Sequence, residues 1–427
     1  MFTGLIYKKL THYVTRYQQA HPDVRLIIIV GSTNKAITRQ AVGTVLAQGK
    51  RVRLREHLAK TPLATPLAIL GIAMPKNPAN PFAWCNVFRA ARRRIHEAPD
   101  VDAIVQELTI RQPGDMKEFA RYLHPSIAII TSVAAERMDV FGTMDAVAEE
   151  YLSVGDMCDF IIVNRDAVDS KYADYERNVN LTTYGSTDMA EYWVEAEDIY
   201  GPHGTPIEIN GPEYSEPLVT KTQLVGTSSL HAVLAGAIVG TKLGVDGEAI
   251  TNGVAAIRTF PGRMNPLNGI GQTLILDDTY RATPNGAIAG LQTLYEFDTA
   301  PQRIAVMSAM PDLADSSKVE HERVAELLNP DLLAWVVLVG KDAEEYMAPV
   351  ARKHGCQVKV CRDAIDAGEF VRSVTEQGAA ILVEGSSPET YLEETTKILC
   401  DVSEETKLVR QGVEWRAIKD QVFSRFE

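Results

Sequence analysis

Apolar residues run in short, nearly unbroken blocks through the first half of the chain: RLIIIV at 25–30, DAIVQELT at 102–109, PSIAIITSV at 125–133 and CDFIIVNRD at 158–166. Between them, stretches such as ITRQAVGTVLAQ (37–48) space their apolar residues with the helical period. Strands that are apolar on both faces and alternate with helices predict a largely parallel sheet covered on both sides. Over 178–218 the pattern changes to short alternating pieces broken by Gly and Pro (VEAEDIYGPHGTPIEINGPEY), as in an antiparallel flap. Helical periodicity returns at HAVLAGAIVGTKLG (231–244), followed by a strand, QTLILDDTY (272–280). A polar stretch at 299–303 opens a third block. There IAVMSAM, WVVLVG, CQVKVC and AAILVEGS are four apolar strands spaced by helices, the pattern of a small doubly wound domain.

Composition narrows the function classes. A chain of 427 residues, 45% hydrophobic and 23% charged, exceeds what one core organises, so two or three domains are expected. The formal net charge of −13 disfavours a nucleic-acid-gripping surface and favours small-molecule chemistry or contact with another protein. The first nineteen residues are positively charged but lack the apolar core of a signal peptide, and no apolar run is long enough to span a bilayer. A cytoplasmic protein is expected. Five scattered cysteines without a CxxC pair indicate neither a disulfide framework nor a zinc site.

The chemistry begins between the first strand and the first helix of the sheet. GSTNKAIT (Gly31 to Thr38) places Gly31, Ser32, Thr33 and Asn34 in a tight turn, with Lys35 where the helix starts. Backbone N–H groups and the positive end of a helix make such a turn an anion cradle, and Lys35 could reach a phosphate. A plain strand-to-helix turn has the same pattern, because the second glycine and the hydroxyl after lysine of the GxxxxGK[ST] loop are missing. Asn34 stands for that glycine and tolerates positive φ. Ala36 stands for the hydroxyl, and a methyl cannot ligate magnesium. The expected fold class is therefore α/β, with a helical lead-in at 1–24, a P-loop-type, mostly parallel central domain at 25–298 and a smaller Rossmann-like C-terminal domain at 299–427.

Four motifs in order carry a family resemblance: GSTNKAIT, then QELTIRQPGDMKEFARYLHPSIAIITSVAAERMDVFGTMDAVAEEY, then GRM, then ILDDTYRATPNGAIAGL. This series resembles the Mur ligases, and among them the branch that adds D-alanyl-D-alanine. The resemblance implies ATP as cofactor and an acid–amino acid ligase, in which a phosphorylated carboxylate is attacked by an amine. It assigns Lys35 to the phosphates, Glu107 to a magnesium ion, and Arg263 and Asp278 to the nucleotide. A nucleotide and a small-molecule or peptide substrate are the implied ligands. The family's N-terminal UDP-binding domain is expected to be missing, because fewer than thirty residues precede the phosphate-loop strand.

Departures from the pattern remove chemistry. Arg137 stands where the family has a metal-binding histidine, and Tyr151 where it has a carbamylated lysine. Neither a guanidinium nor a phenol can take those roles. Ser228, Ser229 and Ala232 replace a histidine and asparagines near the adenine, and Glu384 and Ser387 replace basic residues of the C-terminal turn. With Ala36, this leaves Glu107 as the clear survivor among the implied metal ligands and raises Arg137 as a substitute cation. His124 and His231 read as ordinary solvated or packed residues. Two functions remain open: a ligase with an altered metal site, in peptidoglycan-related metabolism, and a non-catalytic Mur-like protein acting as a binding or scaffold partner. A folylpolyglutamate-type ligase fits the DDTYRATP and PGDMKEFARYLHP stretches less well.

Overall fold

The computed structural model describes residues 2–54, 61–134, 137–175, 180–196, 204–311, 313–385 and 390–424. Two compact units form, one from Met1–Glu197, Thr205–Thr222 and Ser228–Ile257, the other from Asp198–Gly204, Gln223–Thr227 and Arg258–Glu427.

The first unit is built on a sheet with nine described strands: β1 (Arg25–Val30), β2 (Val52–Leu54), β3 (Ala103–Glu107), β4 (Ile127–Ile130), β5 (Phe160–Asn164), β6 (Asn180–Gly185), β7 (Tyr192–Ala196), β8 (Thr205–Asn210) and β9 (Leu218–Thr222). Their order is β2-β3-β1-β4-β5-β6-β7-β8-β9. Pairing is parallel from β2 through β7 and antiparallel from β7 to β9. Leu26 to Val30 are buried throughout, as an unbroken apolar strand in a two-sided sheet must be. The stretch expected as an antiparallel flap extends this sheet: β6 and β7 continue the parallel run, β8 reverses, and β9, antiparallel to β8, runs with the parallel strands again. Alternating burial along β8 explains the misleading pattern, because one face of an edge-ward strand is wet.

The lead-in is a helix, Phe2–Ala20. It buries Ile6, Leu10, Val14 and Tyr17, one stripe at helical spacing, against Trp84, Val87, Ala91 and Ile95 of helix Pro81–His96.

The second unit holds β10 (Asn265–Gly269), β11 (Thr273–Asp278), β12 (Arg303–Ser308), β13 (Trp335–Val339), β14 (Val358–Cys361) and β15 (Ala380–Glu384), in the order β10-β11-β15-β12-β13-β14. β10 is an antiparallel edge and the rest are parallel. Strand QTLILDDTY therefore belongs here, paired with β15, and this unit takes up the chain from Arg258. The polar stretch at 299–303, where the hydrophobic pattern breaks, is the loop from helix Pro284–Glu296 into β12. No described helix is long and apolar enough to cross a membrane.

Candidate functional site

In the first unit, β3, β1 and β4 are neighbours, so the segments that follow their C-terminal ends share one sheet edge. Open parallel sheets bind ligands at that edge. Gly31 leaves β1 with φ 136°, and a Cβ there would lie 2.2 Å from Thr131 Oγ1 and 2.9 Å from the Ser132 nitrogen. Only glycine lets the loop pass this close to the segment after β4.

That segment grips the loop. Ser32 N–H donates to the Ser132 carbonyl (3.1 Å) and Thr33 N–H to Ser132 Oγ (2.9 Å). Thr131 Oγ1 donates to the Thr33 carbonyl (2.7 Å), and Ala134 N–H donates to Ser32 Oγ (3.0 Å). Asn34 takes φ 61°, the left-handed conformation expected of it, and caps helix Lys35–Leu46 without a side-chain hydrogen bond. The first turn of that helix is thus left without a side-chain cap. Lys35 is half-buried, its ammonium donating to the carbonyls of Gly31 and Ser32, the latter at 3.4 Å. The exposed methyl of Ala36 follows.

Glu107 is the last residue of β3, half-buried, and pairs in register with Ile29 of β1. The structure thus brings Glu107 and the Gly31–Lys35 loop to the ends of adjacent strands. Arg137 has φ 49° at the start of the short helix Met138–Phe141; it is exposed and makes no ion pair among the described residues. Tyr151, on helix Met144–Leu152, is 3% exposed and packs in the core with Val147 and Ala148. Its neighbour Glu150 turns the other way and accepts from the N–H groups of Gly114 (2.8 Å) and Met116 (2.6 Å), holding the PGDM turn after β3. Among the described residues no three His, Cys, Asp or Glu side chains form a group able to hold a metal ion.

A second constellation at the same edge escaped the sequence reading. His231 on helix Thr227–Lys242 is 7% exposed. Its Nε2 meets Asp166 Oδ2 at 2.9 Å and Ser186 Oγ at 3.1 Å, while Asn164 Nδ2 lies 3.1 Å from Nδ1. Asn164 must donate there, so the network assigns the proton of the neutral ring to Nε2. Hydrogen bonding from His231, more than from Ser186, holds the Asp166 carboxyl down at about 2 against the opposing effect of burial. Because Ser186 and Asp166 share one imidazole nitrogen, this is an anchored cluster and not a nucleophile relay. Asn164 also donates to the Thr131 carbonyl (3.1 Å), tying the cluster to the segment that grips the phosphate loop. Position offered the one signal in the sequence: the NRD run ends a parallel strand. His124, by contrast, is exposed.

In the second unit Gly262, at φ 66°, accepts from Tyr280 N–H (2.8 Å) and donates to Asp277 Oδ2 (3.0 Å). This places Arg263 with its guanidinium 4.3 Å from the Tyr280 ring centroid. Asp278 accepts from Met264 N–H at 3.1 Å. Asp277, to which the sequence assigned no role, is fully buried, and burial pushes its carboxyl up to about 7 despite the Thr279 hydroxyl and the Gly262 N–H. Glu384 is described and buried; Ser387 and Glu136 lie outside the described residues.

The Mur ligase middle domain family matches residues 89–240, and the Mur ligase, glutamate ligase domain family matches 262–387. The chain is similar to the UDP-N-acetylmuramoyl-tripeptide--D-alanyl-D-alanine ligase of Bacillus subtilis (strain 168), with 22% identity over 384 residues, 88% of this chain and 76% of the relative. Among solved structures it resembles MurF from Acinetobacter baumannii (TM-score 0.69, 20% identity, 91% of this chain and 79% of the other). It also resembles the MurF ligase from Thermotoga maritima in complex with ADP (TM-score 0.68, 19% identity, 92% and 84%).

Proposed function

The chain belongs to the Mur ligase family, and we propose that it is an ATP-dependent acid–amino acid ligase whose phosphate-handling cations differ from the family pattern. In the proposed reaction a substrate carboxylate oxygen attacks the γ-phosphorus and ADP leaves. An amine nitrogen then attacks the acyl carbon, phosphate departs with the bonding pair, and the amine loses a proton. The Gly31–Asn34 turn, the first turn of helix Lys35–Leu46 and Lys35 would bind the phosphates. Arg263 and Asp278 would contact the nucleotide.

The observation that carries this reading is the turn itself. Asn34 holds the left-handed conformation at the helix start, Ser132 clamps the loop in shape, and Lys35 sits at its mouth. An uncapped helix start with an adjacent ammonium suits a phosphate.

Magnesium fits less well. Ala36 offers a methyl, Arg137 a fixed cation, and Tyr151 is sealed in the core, so Glu107 is the one carboxylate of the implied ligand set. These residues do not fit a two-metal clamp. Arg137 is the proposed compensating charge on the transferring phosphoryl group. The same facts support a second reading, a non-catalytic nucleotide-binding protein with a scaffold role.

Calorimetric titration of ATP into the protein, with and without Mg²⁺, tests the binding step. Binding that persists in chelator and is lost in Lys35→Ala is the expected result. No binding under either condition would remove the nucleotide from the proposal. Release of ADP only in the presence of a carboxylate and an amine distinguishes the ligase from the scaffold.

A further inference from the structure

The helices Phe2–Ala20 and Pro81–His96 carry Lys8, Lys9, Arg16, Arg89, Arg92, Arg93 and Arg94 and no Asp or Glu. On a chain with a net charge of −13, this is a concentrated reversal of sign. Between the helices lies a cleft of ≈ 480 Å³. Tyr13 and Ile95, both buried, line it, and Lys9, His12, Arg16, Arg92 and His96, all exposed, surround them.

The cations of the cleft differ from their neighbours. Arg94 pairs with Asp100 at 2.7 Å and Arg93 with Glu97 at 3.6 Å. Lys9, Arg16 and Arg92 have no acidic partner among the described residues. Lys9 is held over the Phe88 ring, 4.1 Å from its centroid, and Phe88 in turn packs against Tyr13. Fixed like charges around one concavity repel, and the repulsion is relieved when an anion enters. The volume is that of a small-molecule site, and paired guanidiniums match phosphate oxygens.

The site is separate from the phosphate loop. Both helices run toward the N-terminal ends of strands, Phe2–Ala20 into β1 and Pro81–His96 into β3, and His21 Nε2 meets the Arg94 carbonyl at 2.9 Å where the two helices end. The loop at Gly31 leaves the opposite, C-terminal end of β1.

We propose that this cleft binds a ligand bearing two or more phosphate groups, with Lys9, Arg16 and Arg92 as the phosphate-holding residues and Tyr13 as the floor. The phosphates could be presented by a soluble compound or by a lipid headgroup. An extended nucleic acid is disfavoured, because beyond the cleft it would meet a net acidic protein.

The test titrates inorganic tripolyphosphate into the full chain carrying Lys35→Ala, which silences the phosphate loop. The same variant is mixed with phosphatidylcholine vesicles containing a quarter phosphatidylinositol phosphate. Arg16→Ala/Arg92→Ala should weaken tripolyphosphate or vesicle binding at least about tenfold, as expected for two lost charge-assisted contacts. Arg93→Ala, on the same helix but ion-paired to Glu97, should leave it within about twofold. Tripolyphosphate binding assigns a soluble source; vesicle binding alone assigns a headgroup. The proposal is overturned if neither probe binds, if Arg93→Ala weakens binding as much as the double variant, or if a duplex oligonucleotide binds more tightly than both. Unchanged thermal midpoints in all variants exclude a folding defect; Arg16, Arg92 and Arg93 are exposed.

Discussion

Asp278 and Glu384 face each other as a register pair at the C-terminal ends of β11 and β15, two carboxyls on adjacent parallel strands with Glu384 only 1% exposed. Neither Glu384 oxygen has a well-formed hydrogen bond among the described residues, and a methyl group at Gly286 or Gly290 would stand 3.7 Å from one of them. Burial first, and then the Asp278 charge, push Glu384 well above the usual carboxylate range; Arg263 acts in the opposite direction. Burial raises Asp278 as well. Two carboxyls so placed oppose each other's ionisation.

The sign of the pH effect follows. A carboxyl raised in the folded state keeps its proton while the unfolded chain loses it, so stability is fully present below the unfolded value and falls as pH rises toward the folded one. Asp277, raised to about 7, adds to the same trend between about pH 4 and 7. Thermal unfolding should show the native protein losing stability from pH 5 to pH 8. Glu384→Gln, which mimics the protonated form, should match the native protein at pH 5 and exceed it at pH 8. An equal difference at both values would show that Glu384 is not held protonated by its burial.

Gly31→Ala tests the loop's dependence on close approach. The added Cβ would collide with Thr131 Oγ1, and the φ of 136° is strained for an L side chain. Overpacking plus backbone strain should cost about 2–4 kcal/mol. A denaturant midpoint within error of native would show that the segment after β4 can yield.

Much of this was legible in the sequence because the signals are local. The unbroken run Leu26 to Val30 announces a two-sided strand, and Asn34 after a glycine-led turn announces positive φ. Other features were not, because they depend on partners far apart in the chain. Nothing in the order of residues says that Ser132 will clamp Thr33, or that His231 will close on Asp166 and Ser186. β11 read as part of the central block because its pairing partner, β15, comes about a hundred residues later, and only a hydrogen-bonded neighbour decides which sheet a strand joins. Arg137, raised from the sequence as a substitute cation, takes an exposed position at a helix start and makes no ion pair among the described residues.

Glu393 is the hinge of charge in the C-terminal region. It is fully buried and bonds Arg410 (2.9 Å from each carboxylate oxygen) and Lys419 (2.8 Å), while Arg410 also donates to the carbonyls of Thr279 and Tyr280. Glu393→Gln keeps the shape but leaves two buried cations undercompensated, which should cost about 3–5 kcal/mol. Urea unfolding measures it, and a loss under about 1 kcal/mol would mean that Glu394, 2.6 Å from Lys419, carries the balance.

Ala36→Ser restores a hydroxyl beside Lys35. If the methyl is what weakens the magnesium contribution, the ratio of ATP affinity with Mg²⁺ to that in chelator should rise about tenfold or more in the variant, about 1.4 kcal/mol. An unchanged ratio would place the cause elsewhere, in Arg137 or Tyr151.

Arg137 gives the last prediction. It follows closely on Thr131 to Ala134, the segment that grips the phosphate loop, and its positive φ starts a new helix with the side chain in solvent. A guanidinium so tethered is always charged and has no acidic partner among the described residues, so a phosphoryl group can recruit it without first breaking an ion pair. A charge-assisted contact of this kind contributes about 1.5–3 kcal/mol. Arg137→Ala should therefore weaken ATP binding, measured in chelator, by about tenfold to a hundredfold. ADP lacks the group that the arginine would meet, so its affinity should change less than about threefold. Stability should stay constant, because an exposed arginine contributes little to the fold. Equal changes in ATP and ADP affinity would place Arg137 away from the γ-phosphate, and the proposed compensating cation would have to be sought in another residue.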